Sequence, residues 1–558
     1  MGVGCVLIQE FLSKRRNMKP LKILLVVVLF ISLAFTNLSS AELNPTYAIV
    51  DCTIFPVNGV QVDNGVIIIR NGLIEAIGPK ANISIPEEAE IIKAEGLYAY
   101  PGLIDAHSEL MLVTPKPEPQ SQRQNSSPRP GDSPSWQKAD FMAFDHFVPE
   151  KTGLEGLRRI GITTACLAPD KNIFAGQSVI VNFNSDQKKQ MVLGNPFALH
   201  INFVMSRGEY PSSLMGTMAV LRQTFLDTEQ YYFYSTQYTK SPLGLKRPEF
   251  NPFLETLIPY VINKKPIVFN CANLEDIKRA VRLADEFKLK AYISGANEAW
   301  RVAGLLKKTK TPLLVSLKFT PPFTSKYVNQ GEDLKKKAEE EIYPANGFNL
   351  YKEGIPFALT SNGLSKPADI LKNVKKAIKA GLPKNEALKA MTIHPAGALG
   401  VDNILGSLEK GKIANIVLTS GEIFDEKSQV RRVFVDGISF TIEQPPEKSK
   451  ATEAQTDISG KWQAELASAM GNMESTIEFK QDGNQVNGTI STEMGKWEIE
   501  NGVLSGKALT FTVTANIMGE SISMEFSGMA ETDNIEGSLS FTQGSAQLKV
   551  KRIPESSF

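Results

Sequence analysis

The stretch Ala99–Glu109, AYPGLIDAHSE, constrains the fold most. An apolar run ending in Asp105 and His107 is the pattern of a buried parallel strand that delivers polar groups to a site at its C-terminal end. Such a strand needs like neighbours and covering helices. Further strand-like runs follow at Ile162–Leu167, Ala198–Phe203, Pro266–Phe269, Ala291–Ile293, Pro312–Val315 and Pro356–Leu359. Helical patterns separate them. Leu274–Phe287, for example, carries Ile277, Ala280, Val281, Leu283 and Ala284 at helical spacing. The alternation predicts β/α repeats. Periodicity leaves two strands open between about 175 and 240.

Different patterns flank this region. Gly65–Arg70 and Leu73–Ile77 surround Asn71-Gly72, a strong hairpin signal because both turn residues tolerate positive φ. Strand-like runs return at Ala414–Thr419 and Val433–Gly437. A polar linker, 443–456, leads to 457–553, where short strands such as Ser475–Phe479, Gln485–Ile490 and Leu509–Thr514 are punctuated by Asp482-Gly483, Asn501-Gly502 and Met518-Gly519. That spacing predicts a small antiparallel barrel or sandwich. Six methionines fall there, which suits either an adaptable interior or ordinary packing. The insertion Thr114–Lys138 is rich in Pro, Ser and Gln and poor in apolar residues, so it is expected to be mobile.

At the N-terminus, basic residues Lys14 to Lys22 precede an apolar run, Ile23–Phe35, and then Ser39-Ser40-Ala41. This order predicts an export signal over 1–41, with the mature chain starting near Glu42 in the periplasm or outside the cell. An uncleaved anchor is the alternative. The mature chain keeps Cys52, Cys166 and Cys271, an odd and scattered set that argues against a disulfide framework. A net charge of +1 gives no support to a nucleic-acid partner.

The segment P-G-L-I-D-A-H-S-E resembles the P-G-x-x-D-x-H-x-H of the amidohydrolase superfamily, its imidazolonepropionase-like and dihydroorotase-like members included. Leu405–Leu418, LGSLEKGKIANIVL, is similar to that family's closing signature, with Asn415 where Asp is usual. The resemblance implies a multidomain α/β chain. A (β/α)8 TIM barrel would span 99–399, with a discontinuous flanking β-sandwich domain from 42–98 and 400–442. A C-terminal all-β barrel-like domain would follow over 457–553. Gly460-Lys461-Trp462 resembles the G-x-W of lipocalin-like barrels.

The family hydrolyses amide and related C–N bonds with metal-activated water. Carried over by position, His107 stands at the first ligand place and Glu109 at the second. Asn270, Ser294 and Asn362 stand where strands five, six and eight supply His, His and the general-base Asp. Neutral amides and hydroxyls bind zinc poorly. The implied metal set therefore reduces to His107 and Glu109, enough for at most one weakly held divalent cation, and no other cofactor is expected. No strand-four Lys is found; the candidate polar group there is His200. His107, Glu109, Asn270, Ser294 and Asn362 are the expected substrate-binding residues. Asp105 is expected to support strand one, His146 and His394 to be structural, and Cys271 to be a buried thiol or a soft ligand. Three readings stay open. The chain is a hydrolase of a small amide or peptide-like substrate; or a pseudoenzyme that binds a ligand or pairs with an intact relative, as homo- or hetero-oligomer; or a binding protein that works through its C-terminal domain.

Overall fold

The computed structural model describes residues 45–113, 134–206, 208–319, 337–364, 366–442, 456–468, 471–492, 495–517, 520–541 and 544–553. The chain divides into two compact units, Met1–Glu443 and Gln444–Phe558. The expected export signal at 1–41, the linker up to 455 and residues 114–133 of the insertion lie outside the described residues.

The first unit opens with β1 (Tyr47–Ile54), β2 (Val62–Arg70), β3 (Leu73–Pro79), β4 (Glu90–Lys93) and β5 (Tyr98–Pro101). The β2–β3 turn is the expected one, with Asn71 and Gly72 at φ 51° and 79°. Then come β6 (Leu103–Ser108), α1 (Lys151–Arg159) and β7 (Ile162–Leu167). Next are β8 (Phe174–Gln177), β9 (Val179–Asn182), β10 (Val192–Gly194), β11 (Leu199–Asn202), α2 (Leu214–Lys240) and α3 (Pro252–Val261). Strands β12 (Ile267–Cys271), β13 (Ala291–Gly295), β14 (Leu313–Ser316) and β15 (Ala358–Thr360) alternate with α4 (Leu274–Glu286), α5 (Ala303–Thr309) and α6 (Asn346–Lys352). Helices α7 (Ala368–Lys379), α8 (Lys384–Ala390) and α9 (Ile393–Leu399) follow, and β16 (Ile416–Thr419), β17 (Val430–Val435) and β18 (Ile438–Thr441) close the unit.

The flanking domain is one hydrogen-bonded sheet, β18-β17-β16-β5-β1-β2-β3, with β4 paired to β1. Both chain segments build it, as the discontinuous reading requires. The expected sandwich is thus made from a single sheet, and β5 carries it on to Pro101. The P-G step explains itself here. A Cβ on Gly102 would fall 2.1 Å from Thr163 Oγ1, so only glycine lets β6 start against β7. Asn415 joins sheet to barrel strands: its Nδ2 donates to Thr163, Thr164 and Asn182, each at 3.2 Å, and its Oδ1 accepts from the Asp436 N–H at 2.9 Å.

The β/α region forms two sheets, β10-β9-β7-β6 and β15-β14-β13-β12-β11-β8. Seven strands are parallel to their neighbours: β6 with β7, and β11 through β15 in turn. Between them Phe174–Asn182 runs the other way, β9 against β7 and β8 against β11. Sequence periodicity left this stretch open because an antiparallel insertion breaks the β/α rhythm. Alternate side chains, Ile104, Val268, Tyr292, Leu314 and Ala358 among them, form an inner apolar layer, and α9 packs on it through Ala396 and Leu399. The opposite faces pack on the helices. The end of the expected mobile insertion is instead anchored: Trp136 is buried against Phe174 and Phe253. One aromatic side chain supplies the burial that the surrounding polar composition lacks.

The second unit is a closed barrel of β19 (Gly460–Ser468), β20 (Gly471–Asp482), β21 (Gln485–Thr492), β22 (Gly495–Ser505), β23 (Ala508–Ile517), β24 (Glu520–Ala530), β25 (Asn534–Phe541) and β26 (Gly544–Arg552). Closure by β19 on β26 leaves no unpaired edge. Trp462 is fully buried, donates Nε1–H to Ile458 O at 2.9 Å and lies under the Arg552 guanidinium, 4.5 Å from the ring centre. Arg552 in turn donates to Ser459 O and Asp457 O. Phe479, Phe511 and Phe526 continue the core, whereas Met529 is exposed. Among the described side chains the core is mainly aromatic and aliphatic, with Met524 packed against it. Trp462→Ala should therefore cost the second unit about 3–5 kcal/mol. Denaturant unfolding followed in the near-ultraviolet should show it; an unchanged midpoint would mean that Trp462 is not the anchor.

Candidate functional site

The C-terminal ends of the parallel strands bring neutral polar groups together. His107, at the end of β6, is fully buried, and its Nδ1 meets Ser294 Oγ of β13 at 2.7 Å. Asn362, just past β15, donates Nδ2–H to that same oxygen at 3.0 Å. Ser294 Oγ thus accepts from Asn362 and shares a hydrogen bond with His107 Nδ1, leaving Nε2 as the ring's other polar atom. That Nε2 has no partner among the described residues, and neither ring nitrogen of His200 on β11 has one. The two imidazoles meet edge to face, centres 5.0 Å apart. Asn270 of β12 donates to Asn202 Oδ1 at 2.6 Å and leaves its own Oδ1 unpartnered. Asn202 also donates to Asp170 O and Asn172 O.

A cavity of about 350 Å³ opens beside this cluster, lined by Asn202, Asn270, Ser316, Lys318 and Asn362 among others. Its size is in the range of small-molecule sites. Four of the five expected residues, His107, Asn270, Ser294 and Asn362, thus belong to one constellation. Glu109 does not join His107. Its carboxyl is hydrogen-bonded to Asp170 and to the Gly363 backbone, and it lines a separate cavity of about 180 Å³ with Phe141 and Leu112. Burial first, and then Asp170, push Glu109 up to about 7.

Asn202 and Lys318 are not among the residues that the motifs mark. A period-two count from His200 finds Asn202 on the same strand face, but Lys318 lies past β14, where no pattern marks it. Cys271 faces the outer apolar core, not the cluster, and burial pushes its thiol far up, so it is the inert thiol and not a soft ligand. His146 stacks on Phe141, and His394 Nδ1 meets Phe357 O at 3.0 Å.

Burial pushes His107 down to about 3 and His200 well below the usual range, so both rings are neutral at physiological pH. A base that weak, beside a serine with no exposed surface, does not make a nucleophile pair. Asp105 lies behind the cluster. It accepts from the Ser361 N–H at 3.0 Å, from Ser361 Oγ and from the His107 N–H. Burial pushes its carboxyl up to about 6, against the pull of those donors.

A zinc centre needs three or four His, Cys or carboxylate donors around one point. Among the described residues no three such side chains converge. Two imidazoles, one already bonded to Ser294, with amides and hydroxyls around them do not fit a binuclear metal centre.

A β/α array with its polar cluster at the strand C-termini defines an α/β fold whose site lies at the strand ends. Residues 337–439 match the model of the Amidohydrolase family. The structure of an amidohydrolase from Thermotoga maritima superposes with a TM-score of 0.59 at 26% identity, over 71% of this chain and all of that one. Amidohydrolase tasK of Hapsidospora irregularis is 22% identical over 67% of this chain and 39% of its own length. N-acetylglucosamine-6-phosphate deacetylase of Haemophilus influenzae is 32% identical over 18% of this chain and 25% of its own length. The chain therefore spans well under half the length of these curated relatives. Over these spans the chain is similar to amidohydrolases.

The buried imidazoles carry a linkage consequence. Their folded pKa values lie below the unfolded value of 6.5, so the unfolded state binds more protons as pH falls below that value. Stability present near neutrality is lost in acid, by about 1.4 kcal/mol per pH unit for each histidine. His200→Leu should flatten the fall of the urea midpoint between pH 6.5 and 5. Equal slopes for variant and parent would show that His200 is not held neutral.

Proposed function

We propose that this chain is an exported amidohydrolase-family protein whose barrel mouth binds a small amide or peptide-like molecule without the family's binuclear metal hydrolysis. One observation carries the reading. His107, His200, Asn270, Ser294 and Asn362 at the strand ends are neutral donors and acceptors, and among the described residues several of their buried atoms have no partner: Asn270 Oδ1, whose residue lines the cavity, and His107 Nε2 and both His200 nitrogens, whose residues do not. Buried unpartnered polar atoms cost free energy unless something pairs with them, which supports a ligand that does so. Asn270 and Asn362 suit an amide, and Lys318 suits a carboxylate. On this reading the chain is a binding or partner subunit, and its two parallel sheets are the wall of a (β/α)8 barrel whose third strand is reversed. Residues 1–41 direct export, and the second unit is a lipocalin-like accessory barrel.

One observation favours the hydrolase reading instead. Glu109, held near 7 beside Asp170, is in the range of a general acid–base at the mouth.

Titration calorimetry of the purified chain with dipeptides, N-acyl amino acids and cyclic amides separates the two. Binding without turnover, weakened at least tenfold by Asn270→Leu at unchanged melting temperature, supports the binding subunit. Turnover that Glu109→Gln abolishes supports the hydrolase.

A further inference from the structure

The N-terminal ends of β13, β14 and β15 lie at the opposite end of the strands from Ser294, Ser316 and Asn362, and two cavities open there. One, of about 580 Å³, lies between α5, the starts of β14 and β15, and α9. Its walls are apolar: Leu306, Leu313, Ile355, Phe357 and Ile393. The other, of about 880 Å³, lies between α4 and α5. They adjoin, because Tyr292, Lys310, Thr311 and Pro312 line both. Each has the volume of a small-molecule site.

The larger cavity is rimmed with cations. Residues 278–310 hold nine Lys and Arg against three Asp and Glu, in a chain whose net charge is +1. Part of that charge is used internally: Lys278 pairs with Glu275, and Lys307 with Glu353. Asp285, the carboxylate on the cavity wall, pairs with Lys288. Arg282, Lys290, Lys308 and Lys310 line the cavity, are exposed and make no ion pair among the described residues.

Lys310 marks the junction of the two cavities. It ends α5 in the left-handed region, at φ 54° and ψ 30°, where glycine is the usual residue. Lys264 and Lys288 take the same conformation just before β12 and β13, at φ 56° and 53°. Their ammonium groups are used locally: Lys264 donates to Val261 O and Phe287 O, and Lys288 to Asp285. Lys310, in the equivalent place before β14, has no such side-chain partner among the described residues. A lysine near a helix C-terminus suits the helix dipole. The dipole does not account for an apolar recess beside four unpaired cations.

We infer that the adjoining cavities form one binding site for an amphiphilic phosphate, its head among Arg282, Lys290, Lys308 and Lys310 and its apolar tail along Leu306, Ile355 and Phe357. Charge complementarity selects the head. Four unpaired cations suit a group of more than one negative charge, and a phosphate monoester carries about −1.5 to −2 at neutral pH. Arginine and lysine both bind such oxygens strongly. The lining selects the tail, since the smaller cavity offers apolar walls and sits next to the cations. The site is remote from the cluster at the strand C-termini and does not depend on what that cluster binds.

Titration calorimetry of the full chain with octyl phosphate, kept below its micelle concentration, tests this. Octyl phosphate should bind saturably, and at least about tenfold tighter than inorganic phosphate, a gain that roughly two buried methylenes supply. Octanol, which lacks the head, should bind at least about tenfold more weakly than octyl phosphate. The double variant R282Q/K310Q, at two exposed positions, should keep its melting temperature and weaken octyl phosphate about tenfold or more. Gly397 lines the apolar cavity from α9, and a Cβ built there meets nothing within 4 Å. Gly397→Leu therefore fills the tail's place without a clash, and should weaken octyl phosphate about tenfold while leaving inorganic phosphate unchanged. No saturable binding of octyl phosphate, equal affinity for octanol or for inorganic phosphate, or an affinity that either variant leaves unchanged would overturn the inference. So would Lys310-dependent sedimentation with phosphatidylglycerol vesicles by a chain that does not bind octyl phosphate, which would assign the cations to a membrane surface.

Discussion

Asp105 is the constraint on which the first unit depends. Strands β6 and β15 share no backbone ladder among the described residues, yet they must lie side by side for the strand ends to converge. A single buried carboxylate does this: it takes the Ser361 N–H and hydroxyl from beyond β15 and the His107 N–H from its own strand. Three donors offset the cost of burying the group, which on its own would strongly favour the neutral acid. His107, two residues on, is thereby aimed at Ser294, and Ser294 gathers Asn362. Strands β6, β13 and the end of β15 are thus tied through hydrogen bonds that need no cation.

A likeness of fold to amidohydrolases does not carry chemistry with it. The fold-level features are Gly102 against Thr163, Asn415 bridging sheet and barrel strands, and α9 beneath the inner apolar layer. These set where strand ends meet, not what they carry. At those ends this chain holds amides, a hydroxyl and two neutral imidazoles. A cation would have to compete with a Ser294–His107 bond already made, and the carboxylates nearby are engaged: Asp105 accepts from Ser361 and the His107 N–H, and Asp276, at the cavity wall, pairs with Arg279. An amide-type ligand instead meets donors and acceptors that have no partner among the described residues.

Much of this was legible in the sequence, for identifiable reasons. Continuous apolar runs and their polar ends located β6, β7 and β11 through β15 to within one or two residues, because buried parallel strands have no polar face to interrupt the run. Asn270, Ser294 and Asn362 could be placed because each ends such a run. Glu109 was placed with His107 by motif alignment, but the residue after β6 leaves the strand, and Asp170, which sequence separation hides, captures its carboxyl. His200 fitted no motif; only the strand order brings it against His107. The reversed segment Phe174–Asn182 and the burial of Trp136 depend on long-range contacts that no local pattern encodes.

The barrel mouth is proposed to bind an amide-type ligand and not a pair of metal ions. Elemental analysis of the purified full chain after exhaustive dialysis, without added chelator, tests it most directly. Fewer than one equivalent of zinc, manganese, iron or nickel per chain, unchanged in His107→Ala, is the expected result. Two tightly held ions per chain, lost in His107→Ala, would contradict it.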